Sequence, residues 1–210
     1  MSAADRGILY IVWGEKAQAA LDRSIRSVRT YYQDLPIHVE RVAESEARLG
    51  LRHKSRMGSL TPFRTTLYLD ADTLVLGGLE YAFEKAERFG LACALCECPW
   101  LRRYGADAGD SLEYNTGVLF FTEKAQGVFR AWEEVAATTA SRARWLDIDG
   151  RLRQGPYDDQ ASFARAIEQC NFNPFVLPIN FNFRPQFFPR FFTPIKIWHD
   201  YRDPPAQLAE

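Results

Sequence analysis

The sequence has no run of about 18 or more apolar residues, which removes a membrane-spanning helix from consideration. It has no excess of charge of either sign. The 26 basic and 27 acidic side chains leave a formal net charge of -1, without the cationic field that a nucleic-acid binder uses. Histidine and cysteine are scarce, three and four residues respectively. Three cysteines crowd into Cys93-Ala-Leu-Cys96-Glu-Cys98, but the second, separated pair that a structural zinc site uses is missing. Gly90–Leu95 reads instead as a buried strand, in which a free cysteine behaves as a small hydrophobe. There is no internal repeat and no low-complexity linker. Met1–Asp5 has no basic region leading into an apolar stretch, so no signal peptide is expected and the cytoplasm is the default location.

What remains is ordinary in bulk. At 210 residues the chain is about 1.4 times a typical domain, so a single domain over residues 1–210 is expected. That size buries a core without disulfides or a structural metal, and 47% hydrophobic with 25% charged residues excludes wholesale disorder. Ile8–Trp13 is a continuous apolar run, the mark of a strand buried on both faces. Apolar positions from Ala17 to about Tyr32 recur at three- and four-residue spacing, predicting a helix, and Ile37–Val42 is a second strand. This β-α-β start predicts an α/β fold with a mostly parallel central sheet flanked by helices. Further on, the pattern predicts a helix over Leu49–Leu60, a strand over Thr65–Leu69, a helix near Leu79–Phe89 and the cysteine-bearing strand. Pro99–Glu113 reads as a polar loop, followed by a strand at Val118–Phe121 and helices at about Ala125–Ser141 and Tyr157–Cys170. Phe172–Phe192 holds eight of the 15 phenylalanines and four of the 11 prolines, too much proline for a helix, and reads as irregular packing over one face of the sheet.

The chemistry concentrates in Thr65-Thr-Leu-Tyr-Leu-Asp70-Ala-Asp72-Thr73. A buried strand runs straight into two carboxylates, at the carboxyl edge where open α/β sheets bind ligands. On an extended backbone, positions i and i+2 point to one side, and two hard oxygen donors there suit Mg2+ or Mn2+. Capping or turn formation accounts for one such carboxylate more readily than for two beside a core.

This run resembles the Asp-x-Asp motif of GT-A-fold glycosyltransferases, more narrowly the glycogenin-like and bacterial lipopolysaccharide sugar transferases. Other segments are similar in the same order: Leu9-Tyr-Ile-Val-Trp-Gly-Glu15, Lys54, Tyr114-Asn-Thr-Gly-Val118, Asp158-Asp159-Gln160 and Ile197-Trp-His199. The likeness runs over about residues 7–203. It implies transfer of a sugar from a nucleotide-sugar donor, a UDP-sugar by the family's habit, with retention and with Mn2+ or Mg2+ as cofactor. The acceptor is left open among a sugar, a lipid-linked sugar and a protein. By the same resemblance Asp70, Asp72 and His199 are the metal ligands, and Asp159 and Gln160 the catalytic pair at the transferred sugar. Tyr10, Trp13, Lys54, Asn115, Thr116, Gly117, Arg184 and Arg202 are the substrate-binding candidates. Imidazole is a suitable third donor for Mn2+. A diphosphate, two aspartates and a divalent cation leave about two negative charges, so a cation such as Lys54 is needed nearby.

Asn and Gly at 115–117 also suit a loop-to-strand turn, and Asp158 or Asp159 suits a helix cap. The ending departs from the family: His199-Asp-Tyr-Arg202-Asp-Pro-Pro205 lacks its Gly and Lys, and Arg202 is the candidate replacement. The 99–113 loop, with Trp100, Arg102 and Arg103, is an expected acceptor-side lid. Two other readings stay open. Asp70-Ala-Asp72-Thr73 also fits a haloacid-dehalogenase-like phosphatase motif, with Asp70 as nucleophile, although that motif normally lies on the first strand. The second is a binding protein of GT-A type without turnover.

Overall fold

The computed structural model describes residues 5–14, 17–43, 50–96, 112–139, 142–146, 149–188 and 190–208. The chain opens as the sequence predicts, with β1 (Arg6–Val12), α1 (Ala17–Tyr31) and β2 (Ile37–Arg41). The two strands are parallel, with Ile8 opposite Ile37. Gly50–Leu60 is one helix only in outline. It divides into α2 (Gly50–His53), a 3-10 turn at Lys54–Arg56 and α3 (Met57–Leu60), and the extended Thr61 ends it before Pro62. Then come β3 (Thr65–Leu69), β4 (Thr73–Val75), α4 (Glu80–Phe89), β5 (Leu91–Leu95) and β6 (Tyr114–Thr122). The second half has α5 (Gln126–Ala136), β7 (Arg142–Leu146), β8 (Leu152–Tyr157), α6 (Gln160–Gln169), β9 (Phe175–Val176) and β10 (Ile197–His199).

Six strands form the central sheet in the order β2-β1-β3-β6-β5-β9. The pairings β1–β2, β1–β3 and β5–β9 are parallel, and β6 is antiparallel to both its neighbours. So β6 alone runs backwards, and its N-terminal end lies at the edge where β1, β3 and β5 finish. Alternation along the strands sends side chains into two cores. Ile8, Tyr10, Leu67, Leu69, Val118 and Phe120 pack beneath α1 and α4. Leu9, Tyr68, Cys93, Leu119 and Phe121 face α5 and α6, around Trp132 and Phe163. Cys93 is fully buried there, and burial pushes its thiol pKa up, as expected of a hydrophobic rather than metal-binding cysteine.

Several elements of the second half differ from the sequence reading. β6 starts at Tyr114 rather than Val118, because pairing with β3 and β5 extends it. α5 stops at Ala136, where the hydroxyls of Thr138 and Thr139 both donate to the Val135 carbonyl, competing with continued helix. The residues after it form the antiparallel hairpin β7–β8. α6 starts at Gln160 rather than Tyr157, with the Gln160 amide donating to Asp158 Oδ1 (2.8 Å). The proline- and phenylalanine-rich stretch is irregular as expected, one short strand and two 3-10 turns. Among the described residues no helix is long and apolar enough to cross a membrane.

Candidate metal and donor site

The two aspartates do not lie on an extended strand end. Asp70 leaves β3 with its amide donating to the Gly117 carbonyl on β6 (2.8 Å). The chain then turns: the Thr73 amide (3.2 Å) and hydroxyl (2.8 Å) both donate to the Asp70 carbonyl. It is this turn that gathers the carboxylates. It also starts β4, which pairs antiparallel with β10 in a small separate sheet and sets His199 opposite Thr73.

His199 Nε2 lies 3.3 Å from Asp72 Oδ1 and 3.9 Å from Asp70 Oδ2. One donor atom from each of the three residues lies within 4.8 Å of the others. Two carboxylates and an imidazole at this separation fit a small divalent cation with bonds of about 2.1 Å. Asp72 is held below the ordinary carboxylate pKa. Burial works the other way, but the His199 hydrogen bond and charge outweigh it.

Gly117 has a different use from the ligand approach suggested by sequence. A Cβ there would collide with His199 Cε1 and come within 2.8 Å of Asp70 Oδ2. Glycine therefore makes room for the protein's own imidazole.

Lys54 stands behind the carboxylates, 2% exposed, on the 3-10 turn. Its Nζ is 3.1 Å from Asp70 Oδ1, 2.9 Å from Asp159 Oδ2 and 3.3 Å from Thr116 Oγ1. Burial opposes its charge, but Asp159 and then Asp70 outweigh that and hold its pKa above an ordinary lysine's. Tyr68, whose hydroxyl donates to Asp70 Oδ1 (2.7 Å), lays its ring 5.5 Å from the ammonium. Thr116 donates to Asp159 Oδ1 (2.8 Å). A chain of contacts thus runs from Asp70 through Lys54 to Asp159 and Thr116. Next to Asp159, Gln160 directs its Nε2 at Asp158 (3.1 Å), and its buried Oε1 has no hydrogen-bond partner.

Asn115 Oδ1 accepts from the Gly117 amide and from Asn182 Nδ2, both at 2.9 Å. Asn182 Oδ1 lies 2.8 Å from His199 Nδ1. The sequence reading did not single out Asn182. It sits at 1% exposure between Phe181 and Phe183, inside the stretch read as packing, and the available signal was an amide set directly between two phenylalanines. Tyr68 was likewise read only as a strand residue.

The other substrate candidates lie elsewhere. Tyr10 is fully buried, its hydroxyl bonded to Ser24 of α1 (2.8 Å), so its side chain belongs to the core rather than to a substrate surface. Trp13 is partly buried beside the α5–α6 core. Arg184 lies over the Phe187 ring. Arg202 is largely exposed and forms a fork with both Asp200 oxygens at 2.9 Å. The expected acceptor-side lid, 99–113, lies outside the described residues as far as 111, with Trp100, Arg102 and Arg103 among them.

No family model and no curated protein sequence matches the chain. Solved structures do. The galactosyltransferase LgtC in complex with donor and acceptor sugar analogues superimposes with a TM-score of 0.62 at 17% identity, covering 92% of this chain and 86% of LgtC. Mouse xyloside xylosyltransferase 1 gives 0.58 at 13% identity, covering 93% and 97%. The glycosyltransferase GlyE of Streptococcus pneumoniae gives 0.62 at 15% identity, covering 95% of this chain and 55% of GlyE. At these identities the likeness is one of fold, and the chain carries the GT-A glycosyltransferase fold that its sequence motifs resemble.

Proposed function

We propose that the protein is a metal-dependent glycosyltransferase that takes a sugar from a nucleotide-sugar donor, a UDP-sugar by resemblance, with retention. The whole of residues 1–210 acts as one catalytic domain in this reading. The observation that carries it is the convergence of Asp70, Asp72 and His199, joined through Lys54 to Asp159, on a glycosyltransferase fold.

Asp70, Asp72 and His199 hold Mn2+ or Mg2+, which when bound supplies positive charge against the leaving diphosphate. Lys54 bridges Asp70 and Asp159 and fixes their orientation, since neighbouring carboxylates without a cation repel. Asp159 and Gln160 face the transferred sugar, and the partnerless Gln160 Oε1 is the acceptor offered to a sugar hydroxyl, a ligand contact that accounts for a buried orphan atom. Asn115 and Thr116 shape the floor of the site. A phosphatase is the weaker reading: Asp70 follows the third strand, β3, and is already bound to Lys54 and Tyr68.

The test is calorimetric titration of UDP, with and without Mn2+, into wild type and Asp72→Ala. Binding that needs both Mn2+ and Asp72 supports the proposal. UDP binding that ignores both, or no nucleotide binding under any metal condition, overturns it.

A further inference from the structure

The hydrogen bonds around His199 fix which way its ring faces. A backbone amide is always a donor, so the Gly117 N–H fixes the Asn115 side-chain atom facing it as the oxygen. The same oxygen faces Asn182 at 2.9 Å, so Asn182 must present its NH2 there. Its oxygen is then the atom 2.8 Å from His199 Nδ1. An oxygen acceptor at Nδ1 requires Nδ1–H. That turns Nε2 to the side where Asp72 and Asp70 lie 3.3 and 3.9 Å away. Asn115, Asn182 and His199 are all buried, so water does not compete freely for these bonds.

We infer that Asn182 is a positioning residue of the cation site: held by Asn115 and the Gly117 backbone, it accepts from Nδ1–H of His199 and so fixes the ring with Nε2 aimed at Asp72 and Asp70. The role is indirect, since Asn182 contacts the imidazole and not the cation. It rests on the metal-site reading above and adds a residue to it. Partners of this kind set ring orientation and ligand basicity, and losing one typically weakens metal binding by roughly 10–100-fold.

Two measurements test it. Nitrogen NMR of 15N-histidine-labelled, metal-free wild type reads directly whether Nδ1 carries a hydrogen. The chain has only three histidines, so His38→Gln and His53→Gln variants assign the His199 signals. A hydrogen on Nδ1 is expected, and a bare Nδ1 overturns the inference without any substitution at Asn182. In parallel, Mn2+ is titrated calorimetrically into wild type, Asn182→Ala and the near-isosteric Asn182→Leu, with folding checked by circular dichroism. Folded variants are expected to bind Mn2+ roughly 10–100-fold more weakly. Wild-type affinity in a folded variant overturns the inference. No Mn2+ binding by wild type overturns the metal-site reading itself, and is told apart because the hydrogen on Nδ1 is measured without metal.

Discussion

Gly117→Ala adds one methyl group, and the structure places that methyl against the His199 ring, with Asp70 Oδ2 2.8 Å away. Carbon atoms pack comfortably at about 3.5–4.0 Å, so the imidazole must retreat by roughly an ångström or more. Gly117 itself cannot yield easily, because its amide bonds Asn115 and its carbonyl accepts from Asp70. The retreat carries Nε2 away from the point it shares with Asp70 and Asp72, whereas ligand distances tolerate only about 0.2 Å. Overpacking of this kind costs about 1–3 kcal/mol of stability. Displacing one of three protein ligands is expected to weaken Mn2+ binding by at least the roughly 10–100-fold seen when a supporting residue is lost. Urea denaturation measures the first quantity and Mn2+ calorimetry the second. An alanine variant with wild-type stability and wild-type Mn2+ affinity refutes the packing of His199 on Gly117.

Lys54→Met leaves Asp70 and Asp159 facing one another without their cation. Breaking a buried pair in this way costs about 3–5 kcal/mol, read as a lower urea midpoint, and a loss under 1 kcal/mol argues against the buried ion network. Trp132→Ala removes a fully buried ring whose Nε1 donates to Ser162 Oγ, and about 3–5 kcal/mol is expected. Mass-spectrometric mapping of alkylated peptides should find exposed Cys170 labelled well before Cys93, whose thiol is buried and pushed up; equal rates contradict the packing of β5. Burial pushes the Tyr32 hydroxyl up to about 12, despite the Leu79 amide that donates to it. Because the folded value is the higher one, its contribution to stability is complete below the ordinary value of about 10 and is lost as pH rises towards 12. Tyr32→Phe should flatten that alkaline loss.

The residues most readable in the sequence were those whose position local pattern determines. Asp70 and Asp72 stood out because charge follows an aliphatic run, and Lys54, Asp159 and His199 because resemblance fixed their order along the chain. What escaped depends on distant pairing. β4 has three residues, Thr73–Val75, and is a strand only because Ile197–His199 arrives beside it. No local periodicity marks so short a piece. The same pairing explains why the aspartates sit in a turn. Asn182 escaped for another reason: its neighbours are core phenylalanines, and nothing in the chain's local chemistry says that its amide meets a histidine 17 residues on. The extension of β6 back to Tyr114 likewise follows from tertiary partners that override the turn preference of Asn115 and Gly117.

The small β4–β10 sheet also bears on synthesis. The last strand of the central sheet ends at Val176, whereas His199 takes its place only when β10 pairs with β4. A nascent chain can therefore assemble both aspartates, Lys54 and Asp159 well before it owns a third donor. If the trio holds a cation as proposed, its capture waits for the pairing of β10 with β4. A chain stopped short of residue 197 would contain all six strands of the main sheet but lack both the buried Ile197 of its core and His199.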